Sequence, residues 1–270
     1  MRSAERIHLV VFLFLIGLAI VRSLPRRRRW KAIAIGTAGC SLTLASAHLP
    51  PTLSSLTVSV VRDWIPAPLM LLVYWQAGEF FVRGHENWER RLARLDRRIV
   101  APLVIALAGW PWGRWVVGYL ELAYLFCYPM IPLGMAAIYL LRMGAEADRF
   151  WAVVLPATYV CYVMVPFAQM LPPRLIEEGW RAALPISPVR SLNIGILRHA
   201  SIHANTFPSA HVASSFSAAL VLTRLDARVG LVFLWAAISI AFGAVAGRYH
   251  YAADAILGIA VAIAVFAIAG

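Results

Sequence analysis

The side chains able to do chemistry gather in two short polar islands, Asn205-Thr-Phe-Pro-Ser-Ala-His211 and Arg248-Tyr-His-Tyr-Ala-Ala-Asp254, in a chain that is otherwise mostly apolar. In the second island His250 and Asp254 stand at i and i+4, which puts both on one face at the start of a helix. A carboxylate so placed fixes the imidazole tautomer and leaves the other ring nitrogen as nucleophile or base. A structural hydrogen bond accounts for the pair equally well. In the first island Pro208 is expected in the first turn of a helix, followed by Ser209, Ala210 and His211. Free N–H groups and the positive end of the dipole there suit a phosphate, although Pro and Ser also favour ordinary helix starts. Two histidines, an aspartate, a serine and Arg248 converging on one face favour the chemical reading.

The sequence between the islands reads as two apolar helices joined by the tight polar turn Arg224 to Arg228. A span of about 18 residues at 1.5 Å per residue covers roughly 27 Å, close to a bilayer core, so the hairpin returns both islands to one membrane face. Composition agrees: 61% of residues are hydrophobic and 14% charged, and mean hydropathy is +0.73. These values exclude an ordinary soluble domain and indicate an all-α polytopic membrane protein. Cys40, Cys127 and Cys161 sit in apolar runs as small packed hydrophobes, with no disulfide framework implied. The net charge of +12 comes from short arginine runs between apolar segments. Such runs set topology and contact anionic lipid, so no nucleic-acid partner is inferred. Arg2 and Arg6 before the run Leu9 to Val21 resemble a signal peptide, but no small-x-small cleavage site follows and a retained first helix is expected.

Candidate spans run about 8–22, 32–48, 57–77, 99–113, 115–141, 150–170, 208–223, 230–247 and 252–269, in one domain covering 1–270. The segment 99–113 is the weakest, and re-entry or an interfacial position is its alternative. Arg22 to Lys31 carries six basic residues and no acid, and Arg83 to Arg98 six against Glu86, Glu89 and Asp96. Placing these runs inside together with Arg142 to Arg149 and Arg224 to Arg228 requires nine spans and faces both islands outward. With eight spans the first two runs change sides, which the charge rule disfavours. Trp88, Leu92, Leu95 and Ile99 recur at helical spacing, as in a helix lying on the membrane surface. The excursion Leu171 to Phe207, with Arg174, Glu177, Glu178, Trp180, Arg190, Arg198, His199 and His203, is expected to form a lid or head-group site, or a plain connection. Glu121, with Tyr124 and Tyr128 on the same helical face, either lines a cavity or pairs with an arginine. His199 and His203 lack a third partner for a metal site, and tryptophans flank the spans as interfacial anchors.

Pro208-Ser-Ala-His211 and His250-x-x-x-Asp254, one hairpin apart, resemble the second and third signature motifs of the type 2 phosphatidic acid phosphatase superfamily. The resemblance covers roughly residues 115–270. It implies a six-helix membrane core, here about 99–270 with extra helices over about 1–98, and metal-independent, cofactor-free cleavage of lipid phosphates. Carried over by residue, it implies that His250 attacks phosphorus to form a phosphohistidine, with Asp254 orienting it. His211 then protonates the leaving oxygen and later deprotonates the incoming water or alcohol, and Ser209 with nearby N–H groups holds phosphate oxygens. Three departures stand out. Ala210 replaces the common Gly; Gly243 and Ala244 replace Ser-Arg in the third motif; and no Lys-x6-Arg-Pro first motif exists. Arg248 and Arg174 are expected to supply the missing phosphate-binding charge. The implied substrate is a lipid phosphomonoester or pyrophosphate in a bacterial inner membrane, and transfer to an alcohol, as in inositol phosphorylceramide synthases, is the alternative. A transporter is a distant third, since it more typically breaks its helices at the midplane.

Overall fold

The first helix pair, α1 (Ser3–Val21) and α2 (Arg26–Ala47), turns at Pro25, which cannot continue α1 but opens α2. A computed structural model describes residues 1–50, 52–176 and 187–270. The described residues are all-α, with one isolated antiparallel bridge, Met170 to Asn205. Next come α3 (Ser55–Trp64) and α4 (Pro66–Gly78), divided at Ile65 with Pro66 in the first turn of α4. α5 (Glu86–Gly109), α6 (Gly113–Leu125), α7 (Cys127–Leu140) and α8 (Ala147–Met164) follow. The short α9 (Pro173–Ile176) and α10 (Pro188–His199) lead into α11 (Ala210–Leu225), α12 (Ala227–Ala246) and α13 (Ala252–Ala269).

α11 is the centre of the bundle, packed against α7, α8, α12 and α13. Its run Ala213-Ser-Ser-Phe-Ser-Ala-Ala219 is almost wholly buried, and small side chains let neighbouring backbones approach closely. The Ser214 and Ser217 hydroxyls donate to carbonyls three residues back, so these polar groups are satisfied inside the helix. A helix enclosed by protein on every side need not be apolar. Among the described residues only α1, the α3–α4 stretch Ser55–Gly78, α12 and α13 are long and apolar enough to cross a membrane, and α11 has 16 residues. The bent pair α6–α7, with a 61° break, makes a fifth when the two helices are counted as one broken span. The expected single span 115–141 is thus two helices. α8 falls short because Asp148 and Arg149 open it, and α2 because Lys31 and its Gly, Ser and Thr residues dilute the stretch after the arginines.

The segment 99–113 is not a separate crossing. α5 joins it to the expected surface helix in one 24-residue helix, and the chain then turns back through Trp110-Pro-Trp112. On the outward leg Glu89 accepts from the Leu171 N–H at 2.7 Å and Asp96 pairs with Arg248. On the return leg Glu121 pairs with Arg190 and Tyr249. Both legs therefore reach the end of the bundle that carries the histidines, as in the eight-span alternative.

The common side expected for the four basic runs is corrected accordingly. Arg22 donates to the Pro166 carbonyl at 2.6 Å, Arg28 to the Phe81 carbonyl, and Lys31 pairs with Glu79 at 2.5 Å, all near the histidine end. The run Arg142 to Arg149 lies at the opposite end, where Asp148 accepts the N–H groups of Ser3 and Ala4. The Arg224 to Arg228 turn, at the far end of α11 from His211, lies there too.

Candidate active site

His211 is delivered by the first turn of α11. That helix begins at Ala210, two residues later than expected, with Ser209 as its N-cap and Pro208 ahead of the cap on a cis peptide. The Ser209 hydroxyl accepts from the Val212 N–H at 3.5 Å, and Thr206 accepts from the Ala210 N–H at 3.2 Å. Ser209 is fully buried. A Cβ on Gly258 of α13 would stand 2.7 Å from the Ser209 carbonyl oxygen, so close approach of the two helices requires glycine there. Ser209 is thereby enclosed as a cap rather than set on a cavity wall. In this turn the His211 N–H is the donor with no partner among the described residues.

His250 precedes Tyr251, the N-cap residue of α13, and the i, i+4 geometry holds. Its Nδ1 lies 3.2 Å from Asp254 Oδ2, which also accepts from the Tyr251 N–H at 3.0 Å and from Asn205 Nδ2 at 2.7 Å. Asp254 is fully buried and His250 5% exposed. A buried carboxylate facing Nδ1 assigns the proton to that nitrogen and turns the Nε2 lone pair outward. The two imidazoles stand edge-to-face at 6.0 Å between ring centres. Tyr124 and Tyr128 place their rings edge-on against His211 at 5.9 and 5.6 Å, and Tyr249 stacks on Tyr124 at 3.9 Å.

A narrow cavity of about 30 Å³ is bounded by both histidines, Asn205, Tyr124 and Arg174. Arg174, carried by α9, is tied to the island by its backbone N–H, which donates to the Arg248 carbonyl at 3.0 Å. Its guanidinium makes no hydrogen bond or ion pair among the described residues. Arg248 is placed differently. It adopts a left-handed φ of 63°, is 1% exposed, and gives Nη1 to Asp96 at 2.7 Å. It borders a larger cavity of about 670 Å³ that shares Arg174, Leu197 and Tyr249 with the histidine cavity. Arg174 thus borders the histidine cavity, while Arg248 pairs with Asp96 beside the turn before His250.

Glu121 resolves as a paired carboxylate. It accepts from Arg190 at 2.5 Å, Asn193 at 2.9 Å and the Tyr249 hydroxyl at 2.5 Å. Burial and the Glu121 carboxylate hold that hydroxyl well above the usual phenol range, so Tyr249 remains a donor. Among the described residues no group of three or more His, Cys, Asp or Glu side chains converges as a metal site. Glu177, Glu178 and Trp180 lie outside the described residues.

A family model described as the PAP2 superfamily matches residues 90–268. The chain belongs to the PAP2 superfamily. No curated protein and no solved structure matches it. The PAP2 match runs from α5 to nearly the end of α13, so both histidines and Asp254 lie within it, and α1 to α4 lie outside. Two residues important to this PAP2 site were not assigned roles from sequence. Asn205 belongs to the first island, but its bond to Asp254 bridges 49 residues. Asp96 had no local signal, because its partner Arg248 is 152 residues away.

Proposed function

We propose that the chain is a membrane lipid phosphatase that cleaves a lipid phosphomonoester or pyrophosphate through a phosphohistidine. The observation that carries this reading is Asp254 facing His250 Nδ1, with the opposite nitrogen directed toward a cavity shared with His211. His250 Nε2 forms a bond to phosphorus as the P–O bond to the lipid breaks. Protonated His211 gives its proton to the leaving oxygen. Neutral His211 then takes a proton from water, whose oxygen attacks phosphorus and breaks the P–N bond to release phosphate. Charge spreads over the equatorial oxygens in each transfer, and Arg174 with the His211 N–H supplies fixed positive charge and a donor there. Asn205 and the Tyr251 N–H hold Asp254 so that its position does not depend on substrate.

Sidedness enters this reading with a revision. The outward orientation required all four basic runs to lie opposite the histidines, and that premise fails. With Arg22 to Lys31 and Arg83 to Arg98 at the histidine end, the positive-inside rule favours the cytoplasmic side for the site. The test of function is phosphate release from a panel of lipid monophosphates and diphosphates by purified protein in EDTA, with mass spectrometry of the lipid products. Phosphate release that survives EDTA and is lost in His250→Ala is the expected result. Abolition by the chelator alone rules out the metal-independent route, and transfer to an alcohol would appear as a new phospholipid.

A further inference from the structure

α1 to α4 lie outside the family match, yet α2 and α4, with the turn after α10, wall a cavity of about 860 Å³ at the histidine end. Ligand sites commonly measure roughly 300–1,000 Å³. The charges around it are unbalanced. Lys31 is paired with Glu79 at 2.5 Å. Arg28 donates to the Phe81 carbonyl rather than to an acid, and the Arg27 side chain makes no hydrogen bond or ion pair among the described residues. Trp75 adds an aromatic wall, fixed by its Nε1–H donating to the Ala200 carbonyl at 3.2 Å, and Ile35 adds an aliphatic one.

We propose that this cavity is an accessory binding site for an anionic phospholipid, with its phosphate on Arg27 and Arg28 and its glycerol and upper acyl chain against Trp75 and Ile35. Guanidinium pairs bind phosphate in a fork geometry, and basic pockets between membrane helices take lipid head groups. Inorganic phosphate shares the charge but would leave the apolar walls unused, so the lipid is the occupant that matches both chemistries. His199 and His203 border this cavity and also the one of about 670 Å³ beside Arg174, and Ser201 stands between this cavity and the histidine cavity. The lipid therefore sits next to the catalytic cavity without entering it, and the site does not depend on the proposed reaction.

The test is native mass spectrometry of the purified full chain titrated with phosphatidylglycerol or phosphatidylcholine, in the wild type and in His211→Ala. One phosphatidylglycerol should bind in preference to phosphatidylcholine, equally in both proteins. Arg27→Gln should weaken it roughly fivefold and Arg27→Gln with Arg28→Gln roughly thirtyfold, from about one unit charge per arginine at the membrane surface. The exposed Arg27 decides the matter by itself if the double variant does not fold. Unchanged affinity in Arg27→Gln overturns the site. Loss of the lipid in His211→Ala places it in the histidine cavity instead, and its displacement by inorganic phosphate makes the cavity a free-anion site; either result overturns the proposal.

Discussion

Asp96 on α5 holds Arg248 and the start of α13 at once. Its Oδ2 accepts from Arg248 Nη1 at 2.7 Å and its Oδ1 from the Ala252 N–H at 3.3 Å, two residues either side of His250. Both side chains of the pair are essentially inaccessible, at 1% and 2%. Removing one partner of a buried pair leaves an uncompensated charge, at a typical cost of about 3–5 kcal/mol. Asp96→Ala is expected to lower the thermal midpoint in detergent markedly, and Arg248→Lys less, since lysine retains the charge but not the fork. An unchanged midpoint in Asp96→Ala would show that the pair braces nothing.

The proposed nucleophile and acid are tested together. His250→Ala and His211→Ala should each lose several orders of magnitude in phosphate release while inserting normally, and Asp254→Asn should lose less because it orients rather than reacts. Near wild-type turnover by folded His250→Ala would remove the phosphohistidine.

Asn205 acts through Asp254. Asn205→Ala should reduce kcat by about tenfold, the effect of losing one orienting hydrogen bond of about 1.4 kcal/mol. Asn205→Asp should be worse, because it sets a second carboxylate against Asp254. Kinetics at saturating substrate separate these outcomes from a change in KM.

Arg174 is expected to carry the phosphate charge. Arg174→Gln should lower kcat by roughly 100-fold, in the range for removing one transition-state donor, and Arg174→Lys should recover only part of it. Wild-type turnover in Arg174→Gln would return the role to Arg248 or Arg198.

Single cysteines at Arg26, Ala204 and Ala227 test the path of the chain. The first two should label from the same side and Ala227 from the other, with Ala227 reacting with an impermeant reagent applied outside intact cells. Labelling of Arg26 together with Ala227 would restore nine crossings, and labelling of Ala204 from outside would restore the outward site.

Local spacing alone determined the helical hairpin, the face shared by His250 and Asp254, and the meeting of His211 with His250, because periodicity and helix rise act within a few tens of residues. The family was legible for the same reason: its motifs are short. Tertiary structure decided what lies beyond that range. Asn205 on Asp254, Asp96 on Arg248 and Arg190 on Glu121 each join distant segments, and no periodic pattern encodes such pairings. Hydropathy counted 99–113 as a crossing because it scores apolar residues without knowing the path of the chain, and α5 carries that stretch as the tail of one helix that begins at Glu86. The charge rule failed at the basic runs for a related reason. It assigns each loop a side by counting crossings, and the return of the chain through Trp110-Pro-Trp112 removes one crossing and moves Arg22 to Lys31 and Arg83 to Arg98 to the histidine end.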